Sequence, residues 1–135
     1  MNLLRRFGLI FLTASLLVLS GCSPSEEEKK KLEAQGKILV GKWEEKEHTW
    51  IFYDDGQFEH ENTIRESQIL REYFSTKGSW EVVKSDGKVL TVHLESRSKS
   101  GATSTWTIYV DVQDDVLRLK YLGDDGTWRL RRARQ

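Results

Sequence analysis

The sequence predicts an all-β domain: a small antiparallel meander of about eight or nine strands, closed or nearly closed into a barrel. Three observations carry that expectation. From Leu39 onward apolar residues recur at every second position, as in Leu90-Val92-Leu94, Trp106-Ile108-Val110-Val112 and Leu117-Leu119-Tyr121. That period of two gives a strand one dry and one wet face. Between such runs stand Asp55-Gly56, Asp86-Gly87 and Asp125-Gly126, dipeptides that tight hairpins favour because glycine accepts positive φ. The connections are short, so successive strands pair, and a long meander curls and closes rather than leave its edges exposed. A two-sheet sandwich is the second architecture the pattern allows.

The amino terminus is of another kind. Met1 to Arg6 is short and basic, Phe7 to Leu19 is an uncharged, mostly apolar run of 13 residues, and Ser20-Gly21 precede the only cysteine, Cys22. A helix of that length spans about 20 Å, too short for a hydrocarbon core of about 30 Å. Charged head, short apolar middle and small boundary residues read as a signal peptide over residues 1–21. Leu19-Ser20-Gly21-Cys22 resembles the lipobox of bacterial lipoproteins. The resemblance implies cleavage between Gly21 and Cys22, a diacylglyceryl group on the Cys22 thiol, and often acylation of the new amine. Two or three acyl chains hold a protein stably on a bilayer. The expected location is therefore the cell envelope, with the membrane itself as a partner through the lipid anchor. Ser23 in place of aspartate implies the periplasmic face of the outer membrane if the host is Gram-negative.

Residues 22–37 read as a lipidated polar tether. Ser25 and Glu28 fit a capping box, Glu26–Lys30 and Glu27–Lys31 have the favourable i,i+4 order, and Gly36 is a natural stop. A helix of about ten residues is marginal alone, so the expectation is a solvated spacer with partial helix.

The folded domain spans residues 38–135, with strands expected near 39–47, 49–54, 57–65, 69–76, 79–84, 88–96, 103–112, 115–122 and 126–132. Gly41-Lys42-Trp43 returns as Gly78-Ser79-Trp80, and Gly126-Thr127-Trp128 echoes it. A glycine two residues before a tryptophan lies on the same strand face and leaves room for a ring or a crossing backbone. With the "YDDGQFEH" turn and the terminal arginines, this pattern resembles the small lipocalin-like domains of bacterial lipoproteins, over about residues 38–132. The resemblance implies a barrel closed by Trp43 against an arginine of the last strand, Arg129, Arg131 or Arg132, as a cation–π contact, with Gly41 beside it. At 114 mature residues the chain is shorter than typical lipocalins, so a filled interior competes with an open cup.

Composition narrows the function. Lys and Arg total 21 and so do Asp and Glu; residues 1–21 hold two arginines and no acid, leaving 19 bases against 21 acids. A mature charge of −2 argues against a nucleic-acid partner. One cysteine excludes an intrachain disulfide and every cysteine-cluster zinc site. The histidines, His48, His60 and His93, have acidic neighbours in Glu47, Glu59, Glu61 and Glu95. None has metal-ligand spacing, and Glu59-His60-Glu61 alternates between faces. Rim or surface histidines are expected, with no catalytic residue, metal or cofactor. Arg129, Arg131, Arg132 and Arg134 read as barrel closure plus a solvated tail in preference to an anionic contact. The function expected is a non-enzymatic, membrane-anchored envelope lipoprotein binding a small apolar ligand or an envelope protein. The alternative is a hydrolase inhibitor or protective factor acting through a loop such as 96–103; an enzyme using histidine and carboxylate comes third.

Overall fold

In a computed structural model, residues 23–65 and 71–134 are described. The expected signal peptide, with Gly21 and Cys22, lies outside the described residues. A helix, α1 (Glu26–Gly36), begins at Ser25 through a complete capping box. The Ser25 hydroxyl accepts the Glu28 N–H at 3.2 Å, and the Glu28 carboxylate accepts the Ser25 N–H at 3.0 Å. An i,i+3 ion pair, Lys29 to Glu26 at 3.4 Å, stands in place of the i,i+4 pairs that the spacing suggests. Gly36 does not stop the helix by a left-handed turn, for its backbone is right-handed helical. Its role is contact: a Cβ there would lie 2.8 Å from Val82 Cγ2 and 3.2 Å from the Trp80 ring. The helix end is thus seated on the barrel, although most of its residues are exposed.

After a short 3₁₀ turn at Lys37–Leu39 come eight strands: β1 (Gly41–Glu45), β2 (His48–Phe52), β3 (Gln57–Arg65), β4 (Arg71–Ser85), β5 (Val89–Arg97), β6 (Thr103–Gln113), β7 (Val116–Tyr121) and β8 (Trp128–Arg132). Each pairs antiparallel with the next, and β8 pairs with β1 to close the ring. This closed eight-stranded meander is consistent with the lipocalin-like small barrel that the Gly-x-Trp pattern implies. The strands expected at 69–76 and 79–84 are one continuous strand of 15 residues. Gly78 interrupts nothing: a Cβ on it would overlap the Glu95 carbonyl of β5, so glycine lets two backbones approach within the sheet. The irregularity falls later, as a register shift between Val82 and Lys84.

Turns at Gly56, Gly87 and Gly101 adopt positive φ. In the β7–β8 loop the positive φ belongs to Gly123, while the Gly126 N–H donates to the Asp124 side chain at 3.0 Å. That loop is longer than the tight hairpin expected at Asp125-Gly126.

The inward side chains fill the barrel. Trp43, Trp50, Phe52, Phe58, Val92, Leu94, Ile108, Val110, Leu117, Leu119 and Leu130 are all buried. One end, the floor, is plugged by Leu39, whose carbonyl accepts the Trp43 indole N–H at 2.8 Å. Of the terminal arginines, Arg132 closes this end: its guanidinium lies 4.1 Å from the Trp43 ring centre and donates to the Val40 and Ile38 carbonyls at 3.0 and 3.1 Å. Gly41 makes the space, since a Cβ there would sit 2.8 Å from an Arg132 guanidinium nitrogen. Arg129 and Arg131 also lie on β8 but point outward and are exposed. They belong to the closing strand without touching the tryptophan, because side chains alternate along it.

Candidate binding site at the barrel mouth

The end opposite the floor is lined by a different chemistry. The apolar parity of Trp50 and Phe52 on β2, facing Phe58 on β3 across the Asp55-Gly56 turn, also turns His48 and His60 inward. His48 Nδ1 and His60 Nε2 stand 3.3 Å apart. Their ring centres are 5.5 Å apart with planes 12° from parallel. The centre separation exceeds the nitrogen distance by about two ring radii, so the rings meet edge to edge and share one N–H···N hydrogen bond. Nitrogens aimed at each other across that gap leave no space for a metal ion between them. Among the described residues no group of three or more metal-ligating side chains converges.

Aromatic rings hold the pair. His60 lies flat on Trp50, centres 4.1 Å apart and planes within 11°; His48 takes Trp128 edge-on at 4.1 Å. Trp50 continues the stack inward to Phe58 and Phe52. Burial, and secondarily the charge of His48, holds the His60 imidazole down at about 4. Burial also lowers His48, against the opposing pull of Glu45 and Glu47. Both rings are therefore neutral near pH 7, and burial pushes the Tyr121 hydroxyl up to about 12, so it stays protonated.

Inside this rim is a pocket of about 190 Å³, lined by Trp50, Phe58, His60, Thr76, Trp106 and Tyr121, with Leu94 at its base. Trp106 is the large apolar residue left partly open there, at 36% exposure. Two hairpins run on beyond the pocket, β3–β4 to the pair Arg65–Arg71 and β5–β6 to the pair Arg97–Thr103. The second carries the 96–103 segment, a tight turn closed by the Ser98 N–H to the Ala102 carbonyl at 2.8 Å. Larger hollows of about 670 and 710 Å³ flank α1 outside the barrel. Their linings mix charged with aliphatic side chains and one wall is the exposed helix, so they lack the convergent rings of the mouth.

The remaining sequence candidates do not converge. Glu59 points outward and pairs with Lys77 at 2.7 Å. His93 faces outward opposite Glu81. Among the described residues no histidine–carboxylate pair enters the mouth; the two neutral imidazoles and the protonated phenol offer it hydrogen bonds and ring faces. The sequence signal for the pair was the hairpin register itself: a three-residue Asp54-Asp55-Gly56 loop, closed by Tyr53 against Gln57, puts Phe52 opposite Phe58, Trp50 opposite His60 and His48 one step beyond on the same face. No family model, no curated protein and no solved structure matches the chain. Among the described residues no helix is long and apolar enough to cross a membrane.

Proposed function

We propose that the chain is a non-enzymatic binding module of the cell envelope, anchored through lipid on Cys22, whose barrel mouth seats one small apolar or aromatic group. The observation that carries this reading is an aromatic pocket of about 190 Å³ above an otherwise filled barrel. Sites for whole drug-sized ligands run to about 300–1,000 Å³, so this one suits a single ring or side chain. Its walls supply stacking faces, and the histidine pair and Tyr121 supply hydrogen bonds that orient what enters. A second reading, an inhibitor or protective factor, is favoured by the two hairpins that run past the mouth: a partner protein inserting one aromatic residue would meet both.

Native mass spectrometry of the protein purified from its host tests this. The wild type should carry acyl mass on Cys22 and a retained molecule or partner, and Trp106→Ala should lose the retained species while keeping the acyl mass. Retention that is indifferent to Trp106→Ala contradicts the mouth as the site. Membrane association of Cys22→Ser without any acyl label contradicts the anchor.

A further inference from the structure

The geometry points to the outer face of β7, β8 and β1 as a docking surface for an extended acidic segment of a partner protein. Arg118 and Lys120 project from β7, Arg129 and Arg131 from β8, and Lys42 from β1. The acids nearby are committed: Glu44 pairs with Lys42 at 2.6 Å, Asp111 lies 3.8 Å from Arg118, and Asp115 is 3.5 Å from Arg132. Lys120, Arg129 and Arg131 make no ion pair or side-chain hydrogen bond among the described residues. Such a cationic face on a chain whose mature charge is −2 is a local asymmetry.

Two features mark it as more than solvated charge. Arg118 stands directly opposite Arg129 in the β7–β8 register, and like charges across a strand pair destabilise a sheet. The Arg118 Nε is also buried with no hydrogen-bond partner, although its terminal nitrogens reach Gln113 and Asp111. An anion between the two guanidinium groups would offset the repulsion.

The partner follows from placement and spacing. α1 packs on β4, which in the closed ring lies four strands from β8 in either direction. The face is thus turned away from α1 and from Ser23, which leads to Cys22. On the proposed lipid anchor the membrane is reached through Ser23, from the α1 side, so it is not what this face meets. A closed barrel has no free edge for strand addition, so recognition is by side chains. Arg129 and Arg131 are about 6.8 Å apart along their strand, the spacing of alternate side chains in any extended peptide. Arginine forks grip carboxylates bidentately. Alternate Asp or Glu residues on an extended segment match that row.

The test uses the protein as purified from its host membranes in non-ionic detergent, with poly-L-glutamate as probe at pH 7 and low salt. Arg129→Gln with Arg131→Gln should weaken saturable binding by about tenfold or more. Lys30→Gln with Lys31→Gln, removing equal charge from α1, should change it less than about twofold. Equal losses in the two double variants, or no saturable binding by the wild type, would overturn the proposal. So would arginine-dependent binding to phosphatidylglycerol mixed micelles tighter than to polyglutamate. The melting temperature of Arg129→Gln should hold or rise as its clash with Arg118 is relieved; a fall of more than about 5 °C would show a structural role instead.

Discussion

Trp43→Ala opens the floor of the barrel, and its cost can be worked from the contacts. Trp43 is fully buried, donates its indole N–H to the Leu39 carbonyl at 2.8 Å, and offers its face to Arg132 at 4.1 Å. Truncating a buried tryptophan costs about 3–5 kcal/mol through lost transfer energy and the cavity left behind. The Leu39 carbonyl loses its partner inside the plug, worth about 1 kcal/mol more. Arg132 keeps its two carbonyl acceptors but loses the ring, about 0.5–2 kcal/mol. These terms overlap, and about 4–5 kcal/mol is the expected total, a large share of the stability of a small domain. Trp43→Phe keeps a ring under the guanidinium and drops the N–H, so about 1–2 kcal/mol is expected. Urea unfolding followed by circular dichroism reads both, with the midpoint reporting stability and the slope reporting compactness. A loss below about 1 kcal/mol for Trp43→Ala, or equal losses for alanine and phenylalanine, would refute the closure described here.

Other perturbations separate the parts of the fold. His60 titrates at about 4 when folded against 6.5 as its ordinary value, so below pH 6.5 the unfolded chain takes up the proton first. Stability should then fall as pH falls from 6.5 to 4 and level off below, by about 1–2 kcal/mol once solvent screening at the rim is counted. His60→Phe should flatten most of that slope in urea midpoints measured across the window, and an unchanged slope would contradict the assignment. Gly78→Ala drives a methyl into the Glu95 backbone and should cost about 3 kcal/mol. Gly101→Ala, at φ 86° in open space, should cost about 1 kcal/mol; equal midpoint shifts would remove the close-approach explanation.

The strands were legible because burial imposes a period of two on sequence. The meander was legible because tight turns leave Asp-Gly and Gly in fixed places. The packing role of Gly78 was legible in the Gly-x-Trp pattern, which leaves room for the crossing Glu95 backbone; less legible was that one strand runs unbroken through it, from Arg71 to Ser85. Gly36 read as a helix stop and is a contact point against Val82 and Trp80. Both depend on neighbours distant in sequence. The Trp43–arginine contact followed from the family resemblance, but choosing Arg132 over Arg129 and Arg131 needed the β1–β8 register, which pairs Trp43 with Arg132. The mouth was the least visible part. Weighed singly, each histidine looked like a rim or surface residue; only the β2–β3 register brings His48, His60 and Trp50 together onto one inner face.

The mouth is tested most directly by side-chain chemical shifts, because the five tryptophans divide between the two ends of the barrel. Trp50, Trp106 and Trp128 line the mouth, while Trp43 and Trp80 bind the floor through the Leu39 and Tyr53 carbonyls. Titrating ¹⁵N-labelled protein with p-cresol, a single-ring probe of the size the pocket admits, should shift the indole N–H signals of the three mouth tryptophans saturably and leave the two floor signals in place. Saturable shifts confined to Trp43 and Trp80, or none at any tryptophan, would contradict the account.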